Sequence, residues 1–188
     1  MTTTVQAPER AVAGTSTWDI DPTHSTAEFA VKHMMVSTVK GRFKSLRGSL
    51  IVNEADPTRS VIEAAIDVAS VDTGAEQRDE HLRSDDFFNA ARYPQITFRS
   101  TRIAGKGDDW KLEGDLTIGD VTKRVVLDVE FEGRAPDAYG GERAGFIATT
   151  KIRRSEFGVN WNALIEAGGV AVSDTVKITL NIQVVRQS

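Results

Sequence analysis

The sequence predicts an all-β domain of antiparallel strands, and three observations support this class. Eight or nine runs of residues alternate between apolar and polar side chains, with the period of two that a half-buried strand requires. Turn signals such as Asp56-Pro57 and Gly140-Gly141 separate these runs. Helix signals are scarce. Strands joined by short turns form a meander, which removes its exposed edges by closing into a barrel or folding into a sandwich.

The individual strands follow from the positions of their apolar residues. Alternate side chains of a strand share one face, and we take the apolar set as the inward face. A register error of one residue would turn that whole set outward. The clearest inward sets are Ala27, Phe29, Val31 and His33; Ile62, Ala64, Ile66 and Val68; Val125, Leu127, Val129 and Phe131; Ala144, Phe146, Ala148 and Ile152; and Val176, Ile178, Leu180, Ile182 and Val184.

One short helical connector is predicted over residues 75–88, with Asp72 or Thr73 in the N-cap region. Its acidic and basic residues alternate. Ion pairing and helix capping therefore explain its charges better than a cation site or a reaction centre. Its apolar residues are Phe87 and Phe88. We expect at least one of them to enter the barrel end while the charged residues face water.

Composition excludes several classes of partner and site. The net charge is −4 with the signs interspersed, which argues against nucleic acid and against anionic membranes as main partners. There is no cysteine, so the chain has no disulfide or thiolate site. No apolar run is long enough to span a bilayer.

The N-terminal segment has neither the basic start nor the apolar core of a secretory signal. We therefore expect residues 1–16 to be a disordered tail and residues 17–188 to form one domain. A cytoplasmic location is the corresponding expectation.

The predicted inward faces mix small residues with aromatic ones. The small residues are Ala27, Ala64, Gly114, Ala144 and Ala148. A barrel of about eight strands is just wide enough to be filled by side chains or to hold one small ligand. The small residues either leave room for a ligand or match large partners across a filled core.

Catalytic and metal-binding patterns are weak. The three histidines, His24, His33 and His81, show no metal-ligand spacing, and no nucleophile elbow is present. One alternative function is an enzyme acting on an apolar substrate with His33 or His81 as general base. That function needs a histidine inside the cavity, hydrogen-bonded to a carboxylate. A second alternative is a stress-response scaffold barrel, dimeric through a strand edge or through the segment described next.

The segment of residues 157–169 is a long, partly apolar connection between two strands. Its side chains Trp161, Leu164 and Ile165 need an apolar surface to cover. We interpret the segment as a plug over one barrel end or a lid at the mouth of a lipid cavity.

Several motifs together resemble the YceI-like, or polyisoprenoid-binding, family. The most distinctive block starts with Ser70-Val-Asp-Thr-Gly74 and continues through Arg78-Asp79-x-His81-Leu82 and Asp86-Phe87-Phe88 to Tyr93-Pro94-x-Ile96-x-Phe98. Asp21-Pro-Thr-His24-Ser25 and the following strand resemble the opening of the family. The resemblance covers residues 17–186. It implies an eight-stranded antiparallel lipocalin-like barrel around a long apolar channel.

The same resemblance implies a ligand and no catalytic machinery. Members bind long-chain isoprenoids or other amphiphiles, such as polyprenyl quinones or fatty amides, and no catalytic residue or metal is implied. The expected function is non-enzymatic binding, transport or sequestration of such a lipid, without a further cofactor. From the alternation we predict a ligand-contacting wall of Phe29, Val31, Ile66, Phe98, Leu127, Val129, Phe146 and Ile178. His33, Arg143 and Trp161 are the candidates near the mouth, with Leu164 in the lid.

Overall fold

The computed structural model describes residues 13–165 and 169–188. In this part, the chain forms one α-helix, α1 (Glu76–Arg83), and three short 3-10 turns, at Pro57–Arg59, Val68–Ser70 and Arg154–Phe157. The strands are β1 (Thr15–Ile20), β2 (Thr26–His33), β3 (Ser37–Phe43), β4 (Leu46–Asn53), β5 (Val61–Asp67), β6 (Val71–Asp72), β7 (Gln95–Lys106), β8 (Asp109–Ile118), β9 (Val121–Pro136), β10 (Glu142–Arg153), β11 (Leu164–Ile165), β12 (Gly169–Val170) and β13 (Thr175–Arg186).

The strands close into an eight-stranded antiparallel barrel, which confirms the predicted fold. β1 and β2 act as two halves of one bent strand, as do β3 and β4, because β1 pairs with β4 while β2 pairs with β3. The order around the barrel is β1/β2, β3/β4, β5, β7, β8, β9, β10 and β13. β13 completes the barrel by pairing Val184 with Ile20 of β1 and Ile178 with Phe29 of β2.

The apolar core lies inside this barrel. Its most buried members, Trp18, Val68, Val71 and Val184, are at most 2% exposed. They come from distant parts of the chain, so the core is complete only in the closed barrel. No helix in the part of the chain described here is long and apolar enough to cross a membrane.

Two glycines on the strands accommodate aromatic rings. A Cβ atom added at Gly41 would lie 2.4 Å from Cζ of Phe29, and one at Gly114 would lie 2.3 Å from Cζ of Phe98. Gly114 was expected to leave open space or to match a large partner. The structure shows the second role, because the ring of Phe98 occupies the space beside it.

We expect Gly114→Ala to destabilise the barrel by about 1–3 kcal/mol, the usual effect of overpacking. The added methyl group would meet both the Phe98 ring and the carbonyl oxygen of Arg99, 2.6 Å away. Chemical denaturation measures the change. Gly145→Ala is the matched control, since its Cβ would meet nothing closer than 3.7 Å. Adding Phe98→Leu to Gly114→Ala should recover part of the lost stability, because the smaller side chain makes room for the methyl group. Equal destabilisation by Gly114→Ala and Gly145→Ala would contradict this packing.

The connector differs from its prediction in two respects. The helix ends at Arg83 rather than at residue 88, and its N-cap is Ala75, which makes no side-chain capping bond. The expectation that its charged residues face water is wrong for Asp79, which is 4% exposed. Its carboxylate accepts hydrogen bonds from the Thr73 backbone N–H at 2.9 Å and from Thr73 Oγ1 at 2.5 Å. These bonds satisfy the buried charge and tie the helix to β6.

The predicted role of the aromatic residues in the connector is confirmed. Phe87 and Phe88 both pack against the barrel core, and the Phe88 ring lies 5.7 Å from that of Phe43. The helix and the turn after it therefore close the barrel end where β5 finishes and β7 begins.

The boundary of the folded domain lies earlier than predicted. β1 begins at Thr15, so Thr15 and Ser16 belong to the barrel and not to the tail. The Ser16 hydroxyl is buried, donates to the Glu54 carboxylate and accepts a 2.8 Å bond from the Trp18 indole. Residues 1–12 lie outside the described residues.

Candidate ligand-binding cavity

The barrel encloses a cavity of about 590 Å³. This volume lies within the range of about 300–1,000 Å³ that is typical of small-molecule sites. Most of its lining is aliphatic or aromatic. Residues that line it include Trp18, Ile20, Leu46, Leu50, Ile62, Ile96, Ile103, Trp110, Leu112, Leu116, Val125, Phe131, Ile152, Val176, Leu180, Ile182 and Val184.

All eight predicted wall residues line this cavity: Phe29, Val31, Ile66, Phe98, Leu127, Val129, Phe146 and Ile178. The alternation placed each of them on the inward face, and barrel closure brings these faces together. That they contact a ligand stays a prediction. The small residues Ala27, Ala64, Ala144 and Ala148 also line the space, so four of the five predicted small positions border open volume.

Polar lining residues concentrate at the barrel end opposite α1. Asn53, Glu54, Ser60 and Arg134 lie there, where β4 and β9 end and β5 begins. Arg134 pairs with Glu54 at 3.2 Å and with Glu142, and its guanidinium stacks 4.8 Å above the Trp18 ring. This end of the cavity is therefore bounded by a charged network. Elsewhere the lining is mainly apolar, and its other charged or hydroxyl-bearing residues are Glu28, Thr97, Thr150 and Arg154.

The charged network predicts a specific loss of stability in acid. Hydrogen bonds from Arg134 and Arg186 lower the pKa of Glu142 from 4.5 to about 2. A carboxyl group with a lower pKa in the folded state stabilises that state above pH 4.5, and this contribution disappears as the pH falls from 4.5 to 2. The Ser16 hydroxyl and Arg134 likewise lower the pKa of Glu54.

We therefore expect the melting temperature of the wild-type protein to fall over this pH window, and that of Glu142→Gln to fall less. Thermal unfolding at a series of pH values measures both. Glu130→Gln is the control, because Glu130 is exposed and makes no ion pair with any residue that the structure describes. Parallel curves for wild type and Glu142→Gln would contradict the assignment.

The opposite end is closed by aromatic and aliphatic side chains. Leu82, Phe87 and Phe88 line the cavity there. The ring of Trp161 packs outside them, 5.3 Å from Phe87 and 4.7 Å from His81. Trp161 therefore covers the connector and does not line the cavity, which differs from its predicted place at the mouth.

One buried arginine holds the segment that carries Trp161. Arg154 is 8% exposed and donates to four backbone carbonyl groups. The acceptors are the carbonyls of Val159 (2.9 Å), Trp161 (2.8 Å), Val172 (3.2 Å) and Ser173 (2.9 Å). Burial lowers the pKa of Arg154. In the structure, we use the word lid for residues 159–163 and 169–173, which overlap the predicted segment of residues 157–169. The Arg154 guanidinium is hydrogen-bonded to both parts.

The other predicted mouth residues lie away from the cavity lining. His33 is exposed at the last position of β2, where it forms an isolated bridge with Val172. Arg143 pairs with Asp21 at 2.6 Å and with Asp137 at 3.4 Å. Hydrogen bonds from Thr23 and then Arg143 hold the pKa of Asp21 well below its usual range. The side chain of Leu164 lies outside the described residues.

No histidine among the described residues lines the cavity. His81 does meet a carboxylate, since its Nε2 lies 2.8 Å from Asp86 Oδ2, but this pair is on the outer side of the connector. His24 pairs with Asp21 at the surface. Residues 13–165 and 169–188 contain no group of three or more potential metal ligands. The histidine placement required by the enzymatic alternative is therefore absent from the described cavity wall.

The sequence prediction omitted several wall residues. Trp18 and Ile20 alternate with polar Thr17 and Asp19, so the period-two signal was present in this short strand. Phe131 continues the alternation of Leu127 and Val129. No comparable sequence pattern indicates that Arg154 binds four backbone carbonyls, because those contacts depend on the backbone path of the lid.

Comparison with known proteins agrees with this architecture. The family model described as "YceI-like domain" matches residues 18–184. The chain belongs to the YceI-like family. The Protein YceI of Escherichia coli O157:H7 is 40% identical to it over 149 residues, which are 79% of this chain and 78% of that relative.

Solved structures share the YceI-like barrel. The YCEI protein of Campylobacter jejuni superposes with a TM-score of 0.72 at 33% identity, covering 84% of this chain and 90% of that one. A polyisoprenoid binding domain from Saccharophagus degradans, implicated in plant cell wall breakdown, gives a TM-score of 0.63 at 18% identity. It covers 89% of this YceI-like chain and 97% of its own, and it shows the shared fold.

Proposed function

We propose that this YceI-like protein binds one long-chain isoprenoid or similar amphiphilic lipid inside the barrel, for transport or sequestration and without catalysis. The observation that carries the proposal is the 590 Å³ cavity, whose apolar lining comes from all around the barrel. Membership of the YceI-like family and the polyisoprenoid-binding neighbour support an isoprenoid-type chain. Among long-chain amphiphilic lipids, we propose polyprenyl quinones and fatty amides as the candidate ligands.

The physical basis is burial of the chain. Each methylene group moved from water into an apolar environment contributes about 0.8 kcal/mol, so a chain needs no polar partner to bind. In this proposal, the ligand head group lies at the end of the cavity opposite α1, beside Glu54 and Arg134. Wall residues such as Phe98, Leu127 and Phe146 contact the chain in this proposal. A cytoplasmic location and a homodimer stay predictions; sedimentation with and without detergent tests the dimer.

Extraction tests the proposal. Protein purified without detergent from its native host should release, on treatment with organic solvent, an isoprenoid or long-acyl amphiphile in about stoichiometric amount. Mass spectrometry of the extract identifies it. The same protein after delipidation should rebind that compound and exclude short polar analogues. Recovery of no lipid, together with failure of the delipidated protein to bind any long-chain amphiphile, would contradict the proposed function.

A further inference from the structure

The hairpin between β2 and β3 carries an exposed apolar tip. Met34 is 42% exposed, Met35 62% and Val36 84%. The tip lies at the lid end of the barrel, because the Met34 N–H donates to the Ala171 carbonyl at 2.9 Å. Adjacent apolar side chains with this exposure are unfavourable in water and mark a surface that binds a partner.

The backbone of the tip is strained. Met34 and Met35 have φ angles of +50° and +60°, in the left-handed region. They are the central residues of a turn in which the Val36 N–H donates to the His33 carbonyl at 3.1 Å. A turn with positive φ at both central residues strongly favours Asn-Gly, and a bulky residue there is an outlier. The chain thus holds two methionines in an unfavourable conformation at an exposed hairpin. Such strain is found where a functional surface requires it.

Lysines cluster on the outer face of the strands behind this tip. Cross-strand register aligns Lys40, Ala30, Lys177 and Lys151 in one row across β3, β2, β13 and β10. Lys151 and Lys177 are direct neighbours, an arrangement of like charges that destabilises a sheet. Lys40, Lys151 and Lys177 are exposed and make no ion pair with residues that the structure describes.

Two acidic residues, Glu28 and Asp72, border the same surface groove as Lys40 and Lys177. Lys32, two residues before Met34, donates to the Thr38 hydroxyl at 3.0 Å and makes no ion pair in the described part. Asp72, beside the row, pairs with Arg42 at 3.7 Å and with Lys44 at 3.6 Å. At about 3.3 Å per residue, Lys32 lies roughly 7 Å behind the tip, and the row, level with Ala30, lies about 13 Å behind it. A tip that enters a bilayer by about 5–10 Å brings the row within a Debye length of the membrane surface.

We infer that the tip of residues 34–36 and the lysine row form a docking surface for an anionic phospholipid bilayer. The apolar side chains enter the boundary between head groups and acyl chains, and the lysines pair with lipid phosphates. The net charge of −4 does not reveal this local surface, where the lysines outnumber Glu28, the neighbouring carboxylate that makes no ion pair with residues that the structure describes. Docking places the lid against the membrane. The inference concerns the outer surface and does not depend on which compound fills the cavity.

Vesicle flotation tests the inference with full-length protein. Vesicles of phosphatidylcholine alone are compared with vesicles that also contain phosphatidylglycerol, at low and high salt. We expect binding to the anionic vesicles that weakens as salt rises. The double variant Lys151→Gln/Lys177→Gln should lower the partition coefficient about 30-fold. Its melting temperature should not fall, since a like-charge contact is removed.

A second variant tests the apolar tip. Met34→Asn/Met35→Gly supplies the preferred turn sequence, so the fold should be retained while vesicle binding falls about tenfold or more. Two controls lie at the other barrel end: Arg102→Gln/Lys106→Gln for charge and Tyr139→Ser, at a residue 91% exposed, for apolar surface. Absence of wild-type binding, binding insensitive to lipid charge and salt, or equal losses in the controls would overturn the inference.

Discussion

Arg154→Met is expected to destabilise the protein by about 2–4 kcal/mol and to release the lid. The guanidinium donates to four carbonyl groups within 3.2 Å, and a buried acceptor left without a donor loses about 1–3 kcal/mol. Removal of the buried charge offsets part of this loss, since burial disfavours the charged form. Methionine keeps much of the side-chain volume, so the effect reports the lost hydrogen bonds.

Amide hydrogen exchange separates lid release from general destabilisation. The N–H groups of Met34, Ala171 and Ser173, which bond to or from the lid, should exchange much faster in the variant than those of the barrel strands. Arg153→Met is the matched control. Arg153 is exposed and makes one ion pair, at 3.0 Å to Asp174, a type of contact that contributes about 0–1 kcal/mol. Equal effects of the two substitutions would contradict the role assigned to Arg154.

Ala148→Phe is expected to abolish or strongly weaken lipid binding while the barrel stays folded. Ala148 lies on the cavity wall, near Leu112 and Leu127, so a larger side chain there occupies space that the ligand would use. Each displaced methylene group lowers binding by about 0.8 kcal/mol, and exclusion of four such groups already reduces affinity more than 100-fold. Titration of the delipidated protein with the extracted lipid measures the loss.

The neighbouring residue supplies the control. Thr149 is on the same strand, but successive side chains of a strand point to opposite faces, and Thr149 does not line the cavity. Thr149→Phe should leave affinity unchanged. Ala64→Phe, on another strand of the wall, should repeat the effect of Ala148→Phe. Normal affinity in both cavity variants, with melting temperatures showing that they are folded, would contradict binding inside the barrel.

The fold and the cavity wall could be predicted because both depend on a local pattern. Alternation assigns a face to each residue of a strand, and one face of a closed barrel must point inward. Phe29, Phe98 and Ile178 therefore reach the cavity although they are far apart in sequence. The bend between β1 and β2 does not change this assignment, because apolar and polar residues alternate separately within each of the two strands.

Residues at the ends of the barrel could not be placed in the same way. His33 continues the alternation of Phe29 and Val31, but β2 extends past the cavity, so its last side chain is exposed. Trp161 and Arg154 depend on how the lid folds back, which no local period specifies. Asp79 can be buried because the backbone N–H and the hydroxyl of Thr73 both donate hydrogen bonds to its carboxylate. Burial of a charged residue follows from tertiary partners rather than from its own type.

The most direct test of the proposed function is a crystal structure of the protein purified from its native host without detergent. We expect continuous, elongated density inside the barrel that contacts Phe98, Leu127, Phe146 and Ile178 and matches the lipid identified by extraction. A cavity that contains only ordered water, or that has collapsed around repacked side chains, would contradict the proposed function.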